Sequence, residues 1–233
     1  MIRVAISATI AVLFSFASAS AVPPTYSSLD HPSQDGRCIG DNSVGDLDRS
    51  ERACLKQTGE LAQRVGPGLQ LKFRNGLTRV YYNEDAKCQT DEAKGCVKYQ
   101  LTGYFPNHDL LLIEVDYWEG VSWLLVRADT GNVSAIVSPP HYSPSKRWLV
   151  SVASSIGPSG PPNGIDIVPV GSDPSFKEWH YRVPDDVQWL YEFAGWDGDD
   201  RVKLLATSTG TPSKRAAASV EHRNGTWHFK WPK

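Results

Sequence analysis

The sequence predicts an all-β chain, an antiparallel meander or sandwich preceded by one short disulfide-linked α-helix. Three observations predict it. From Leu69 onward, short runs of β-branched and aromatic residues alternate with polar ones and are separated by turn dipeptides such as Asn75-Gly76, Pro139-Pro140 and Asn224-Gly225. Only the segment near 46–65 carries an apolar period of 3.6 residues. The four cysteines form an even set at local spacings, as in disulfide-bonded exported chains. The 233 residues include 8 Trp, 9 Tyr and 7 Phe at a net charge of -2, which excludes a disordered chain and a bulk nucleic-acid footprint.

Residues 1–19 show the three parts of a secretory signal peptide: Arg3, an apolar run from Ile10 to Phe14, and the small triplet Ala17-Ser18-Ala19. Residues 20–36 are rich in Ser and Pro and read as a flexible leader, leaving 37–233 as a single β-rich domain. Its helix is expected over about 47–65, where Cys54, Leu55, Thr58, Leu61, Ala62 and Val65 share one face and Asp48 with Glu51 forms a start signal. Gly66-Pro67-Gly68 ends it.

Strands follow at Leu69–Phe73 and Thr78–Tyr82, joined by Asn75-Gly76. A second hairpin is expected between 79–83 and 97–102. Further strands are expected at 110–115, 121–128, 133–137, 148–153, 165–170, 179–183, 187–193, 202–206, 216–222 and 226–231. In an oxidising compartment four cysteines allow three pairings; the local ones, Cys38 with Cys54 and Cys88 with Cys96, are expected. The second would pin the tip of the stretch EDAKCQTDEAKGC. No stretch after the signal is long and apolar enough to predict a membrane helix.

Three segments share an aromatic, a polar turn and a hydrophobic strand: YFPNHDLLLIEV at 104–115, HYSPSKRWLVSV at 141–152 and GWDGDDRVKLLAT at 195–207. Before the second lies a strand, the turn Asp129-Thr130-Gly131 and another strand. Over about 100–207 this pattern resembles the blades of WD40-like and TolB-like β-propellers, in which a D-x-x-T-G hairpin precedes an S-P-D-G-K turn. The resemblance implies propeller-blade-like sheets and a scaffold for binding, and it supplies no catalytic residues.

Enzyme signatures such as G-x-S-x-G, H-E-x-x-H and the phosphate-binding glycine loops are missing from the sequence. The weak catalytic candidates are His108, Asp109 and His141, which sit in turns of two related segments. Asp197, Asp199 and Asp200 supply oxygen ligands of the kind Ca²⁺ takes, but Asp-Gly is first a turn dipeptide. The histidines lack metal spacing, so no metal and no cofactor is expected.

The eight tryptophans carry the best functional hint, since Trp and Tyr dominate binding hot spots and stack on sugar rings. At least half of them are expected in the core. Trp118 and Trp196, beside turns, are the expected exposed ones; Tyr117 and Trp118 are adjacent, so in a regular strand one of the two must face outward, and all three are the candidate binding residues. The function expected is an exported, periplasmic or secreted, non-catalytic protein that binds a protein or an envelope glycan. An inhibitor or immunity protein for a hydrolase is the first alternative, and an envelope-acting hydrolase the second.

Overall fold

The chain enters its described part through α1 (Leu47–Thr58), whose inward face presents Glu51, Cys54 and Thr58 while Arg52, Lys56 and Gln57 face solvent. The computed structural model describes residues 47–231 apart from 90–94, 119, 156–161, 172–177 and 185–186. The signal segment 1–19, the leader 20–36 and Cys38 lie outside the described residues. Cys54 is fully buried and disulfide-bonded, so the helix is disulfide-linked as expected.

The helix is shorter than its apolar period predicts. Gly59 takes φ +57, a left-handed conformation that costs glycine little and stops the helix; a single 3₁₀ turn, Gly59–Leu61, follows. Residues 62–65 then become β1 (Ala62–Val65), which folds back across Gly66-Pro67 to pair with β2 (Gly68–Lys72). In the strand Ala62 is buried and Val65, three residues on and therefore on the other face, is 55% exposed, so the tight turn at Gly66-Pro67 overrides the helical apolar period.

Fifteen strands among the described residues make four antiparallel sheets, each a meander of sequence neighbours. The first holds β1, β2 and β3 (Thr78–Tyr82). The second holds β4 (Val97–Phe105), β5 (Leu110–Tyr117), β6 (Gly120–Arg127) and β7 (Val133–Ile136). The third holds β8 (His141–Tyr142), β9 (Trp148–Ala153), β10 (Gly164–Pro169) and β11 (Trp179–Arg182). The fourth holds β12 (Trp189–Trp196), β13 (Arg201–Ser208), β14 (Arg215–Arg223) and β15 (Thr226–Lys230).

Strand alternation lets a middle sheet serve two cores. In β5, Leu111, Ile113 and Val115 pack toward the first sheet and the helix, whereas Leu110 and Leu112 pack toward the third sheet. In β9, Leu149 faces the second sheet, while Trp148 and Val150 join Tyr191, Val202, Leu204 and Trp227 of the fourth. Three apolar layers thus join four sheets in chain order. Among the described residues no apolar cluster joins the fourth sheet to the first.

The three related segments form the first hairpins of the second, third and fourth sheets: β4–β5, β8–β9 and β12–β13. Each turn holds a residue at positive φ: Asp109 at 51°, Lys146 at 60° and Gly198 at 63°. The repeated sequence therefore marks a repeated place in blade-like sheets. The expected hairpin of 79–83 with 97–102 is instead a crossover between sheets, because β3 and β4 belong to different meanders; among the described residues the backbone contact between the two segments is Glu84 N–H to Val97 O, at 2.9 Å.

Candidate binding surface

β4 is an edge strand, and unpaired edges invite pairing with other chains. Here side chains occupy it. Glu51 of α1 accepts from Leu101 N–H at 3.0 Å, Asn83 Oδ1 accepts from Tyr99 N–H at 2.8 Å, and Arg64 Nη2 donates to Tyr99 O at 2.6 Å. Arg64 also pairs with Glu51. Helix, first sheet and β4 are locked together, and a cavity of about 490 Å³ opens beside them, lined by Arg52, Asp85, Lys98, Tyr99, Gln100 and Asp116 among others.

Its electrostatics are mixed. Burial raises the Asp116 carboxyl above the usual carboxylate range against the pull of Lys98, and burial also raises the Tyr99 phenol, with Tyr117 and Tyr81 adding to it. Tyr81 and Tyr99 rings lie 5.1 Å apart. At the same end β5 turns into β6 through a two-residue loop, with Tyr117 paired to Gly120. Trp118, in the loop, is 58% exposed, and Tyr117 is exposed with it at 50%, so both of the adjacent aromatics face solvent where strand alternation requires only one to. Val97 pairs with Tyr117 and also receives Glu84 N–H, which brings the crossover segment alongside the aromatic hairpin. Cys88 and Cys96 are bonded, with their Cα atoms 4.6 Å apart, and draw that segment into a closed loop.

Trp196 departs from its expected exposure. It is half-buried in the third core, its ring 6.2 Å from that of Trp227. The cause is a bulge between Phe193 and Gly195, which shifts the register by one residue and returns Trp196 to the face shared by Trp189, Tyr191 and Phe193. Gly195 accommodates this with φ +126.

The opposite end gathers the hairpin turns that the repeat marks. Asp109 accepts from Arg74 Nη2 at 2.7 Å and Nε at 3.2 Å, joining the first sheet to the second. Arg127 Nη1 donates to Val170 O at 2.8 Å, joining the second to the third. Asp199 accepts from Ser145 N–H at 2.9 Å and lies 3.4 Å from Arg147, joining the third to the fourth. The Ser145 N–H, ahead of Ser143 and Arg147, holds the Asp199 carboxyl below the usual range. A cavity of about 440 Å³ here includes His108, Asp109, Lys146 and Arg147.

His108 and His141 are held by different layers. The His108 ring lies 5.2 Å from Tyr142, which also touches Phe105, whereas His141 stacks on Phe193 at 4.3 Å. As neighbours in β8, His141 and Tyr142 point to opposite faces of the sheet. The acidic turn is likewise divided: Asp197 faces Arg201 at 3.6 Å, Asp199 holds the 143–147 turn, and Asp200 faces His222 at 3.4 Å. Among the described residues no group of three His, Cys, Asp or Glu side chains is gathered for a metal.

No family model, no curated protein and no solved structure significantly matches the chain. The chemistry of its surfaces therefore rests on its own residues.

One polar centre is not singled out by sequence patterns. Asp166, fully buried in β10, accepts from Val137 N–H at 2.8 Å and Arg182 Nη1 at 2.6 Å, and contacts His180 Nδ1 at 2.8 Å. His180 Nε2 lies 3.2 Å from Glu178, which in turn pairs with Ser134 of β7. The available signal is a lone carboxylate inside the apolar run Ile165–Val168, with His180 and Arg182 alternating on the next strand. Its geometry ties β7, β10 and β11 together.

Proposed function

We propose that this chain is an exported, non-catalytic binding protein, periplasmic or secreted, that recognises a protein or an envelope glycan through the end carrying Tyr117 and Trp118. The observation that carries it is the placement of two half-exposed aromatics, the disulfide-closed crossover and a polar cavity at one end of the first two sheets. Rigid aromatics cost little conformational entropy to fix and are typical anchors in interfaces. The disulfide and the signal-like residues 1–19 support export.

The inhibitor or immunity reading is a narrower form of the same proposal. It is favoured by the Cys88–Cys96 loop, since a covalently closed loop loses less freedom when it enters a cleft. For a hydrolase, His108 and His141 would have to cooperate, and their separate ring partners give that reading no support.

The test is quantitative binding of the purified chain to an immobilised glycan array and to envelope proteins captured by cross-linking. Tyr117→Ala and Trp118→Ala are expected to weaken the retained interaction at least tenfold. Absence of saturable binding at micromolar concentration, or binding that both variants leave untouched, defeats the proposal.

A further inference from the structure

The cavity of about 490 Å³ beside β4 is lined by three anions and three cations. Four of these charges are matched within the chain: Glu51 with Arg64, and Asp85 with Lys98 at 3.9 Å. Two are not. The Asp116 carboxylate of β5 and the Arg52 guanidinium of α1 make no hydrogen bond and no ion pair among the described residues.

Asp116 is the more telling of the two, because it is half-buried. Lys98 stands directly opposite it on β4 but sends its Nζ toward Asp85. Arg64 directs its donors to Glu51 and to the Tyr99 carbonyl. Burial therefore outweighs the pull of Lys98 and raises the Asp116 carboxyl. A half-buried carboxylate without a donor opposes folding, and in a cavity it is a place for the donors of a ligand. Arg52, exposed at the rim, fixes a charge of the other sign at a second point.

We infer that this cavity binds a short zwitterionic peptide, its ammonium on Asp116 and its carboxylate on Arg52. A cation alone leaves Arg52 unmatched, and an anion alone leaves Asp116 so. The spacing of the two groups selects a peptide over a single amino acid. Glu51 of α1 caps the free edge of β4 at Leu101, and β5 pairs with the other edge, so β4 lies between the elements that carry the two charges. Strands are about 4.8 Å apart, and an extended peptide separates its ends by about 3.5 Å per residue. The volume lies within the roughly 300–1,000 Å³ of small-molecule sites. Neither Tyr117 nor Trp118 lines this cavity, so this inference and the aromatic surface can fail independently.

The test follows amide shifts of the purified, isotope-labelled chain during titration with trialanine, N-acetyl-trialanine and trialanine amide. Trialanine is expected to shift the amides of 98–100 and of Arg52. Acetylation is expected to weaken binding about tenfold and amidation about threefold, the exposed Arg52 contributing less than Asp116. Asp116→Asn is expected to abolish the difference between trialanine and its acetylated form, and Arg52→Gln the difference between trialanine and its amide. Asp116→Asn is also expected to raise the thermal midpoint at neutral pH, since it removes a half-buried charge that has no partner. Tyr117→Ala and Trp118→Ala are expected to leave trialanine affinity unchanged. No saturable shift with trialanine, or equal affinity for the acetylated form, overturns the inference. Equal affinity for the amide makes the cavity a cation site and overturns the zwitterion. A lower thermal midpoint in Asp116→Asn marks Asp116 as structural, and loss of trialanine binding in either aromatic variant moves the ligand out of the cavity; each result likewise overturns it.

Discussion

Asp166 and Trp118 are opposite cases of what one side chain can contribute. Asp166 is fully buried and satisfies a backbone N–H that has no other means of reaching solvent, so Asp166→Ala is expected to cost about 2–3 kcal/mol in urea unfolding. Its partners His180 and Arg182 are partly exposed and can rehydrate, which keeps the cost below that of breaking a wholly buried ion pair. Trp118→Ala, removing a 58% exposed ring, is expected to change stability by no more than about 0.5 kcal/mol. Glu221 adds a pH dependence of definite sign. Because the Lys230 hydrogen bond, with the charges of Arg223 and Arg201, holds its folded-state carboxyl below the ordinary value of 4.5, its contribution is complete above that pH and is lost as the pH falls through the lower folded value. Glu221→Gln should therefore reduce the slope of stability against pH on the acid side of 4.5 and leave its slope above pH 6 unchanged, as followed by thermal midpoints.

At the level of elements, strand alternation was legible and the exceptions to it were not. The runs at 78–82 and 148–153 coincide with β3 and β9, because an alternating run between turn residues has one stable use in a sheet. The half-buried position of Trp196 does not follow from local sequence, because the bulge after Phe193 depends on a pairing partner, β13, that lies downstream. The helical period runs on to Val65 because the left-handed turn at Gly59 and the hairpin at Gly66-Pro67, which place Ala62 and Val65 on opposite faces of a strand, leave no mark in the apolar spacing. The crossover from β3 to β4 looked like a hairpin because local turn chemistry does not say which sheet a strand joins. Two elements here carry predictions. Glu51→Ala leaves Leu101 N–H without its acceptor at the β4 edge and is expected to cost about 2–3 kcal/mol, with increased self-association in light scattering as the edge opens. Joint Cys88→Ser and Cys96→Ser substitution reopens a short loop and is expected to lower stability by about 2.5 kcal/mol on the chain-entropy model, read from chemical denaturation.

For the whole molecule, the consequence of serial packing is a gradient of local stability. Among the described residues each sheet buries apolar surface only against its chain neighbours, so a middle sheet is covered on both faces and a terminal sheet on one. β5 shows the first condition, with Leu110 through Ile113 all buried; β3 shows the second, with Thr78, Arg79 and Tyr82 exposed. The turn contacts Arg74–Asp109, Arg127–Val170 and Ser145–Asp199 join the sheets at one end but bury little apolar area, so they orient neighbours more than they stabilise them. Local opening requires less exposure of apolar surface at the first sheet than at the second or third. Hydrogen exchange is therefore expected to be slowest in β5, β9 and β10 and at least tenfold faster in β3. The aromatic core beneath the fourth sheet, with Trp148 and Trp227 packed edge to face at 5.3 Å, should make β13 and β14 slower than β3 although theirs is also a terminal sheet. Equal protection in β3 and β5 would mean that the sheets unfold as one unit, and the serial account of stability would fail.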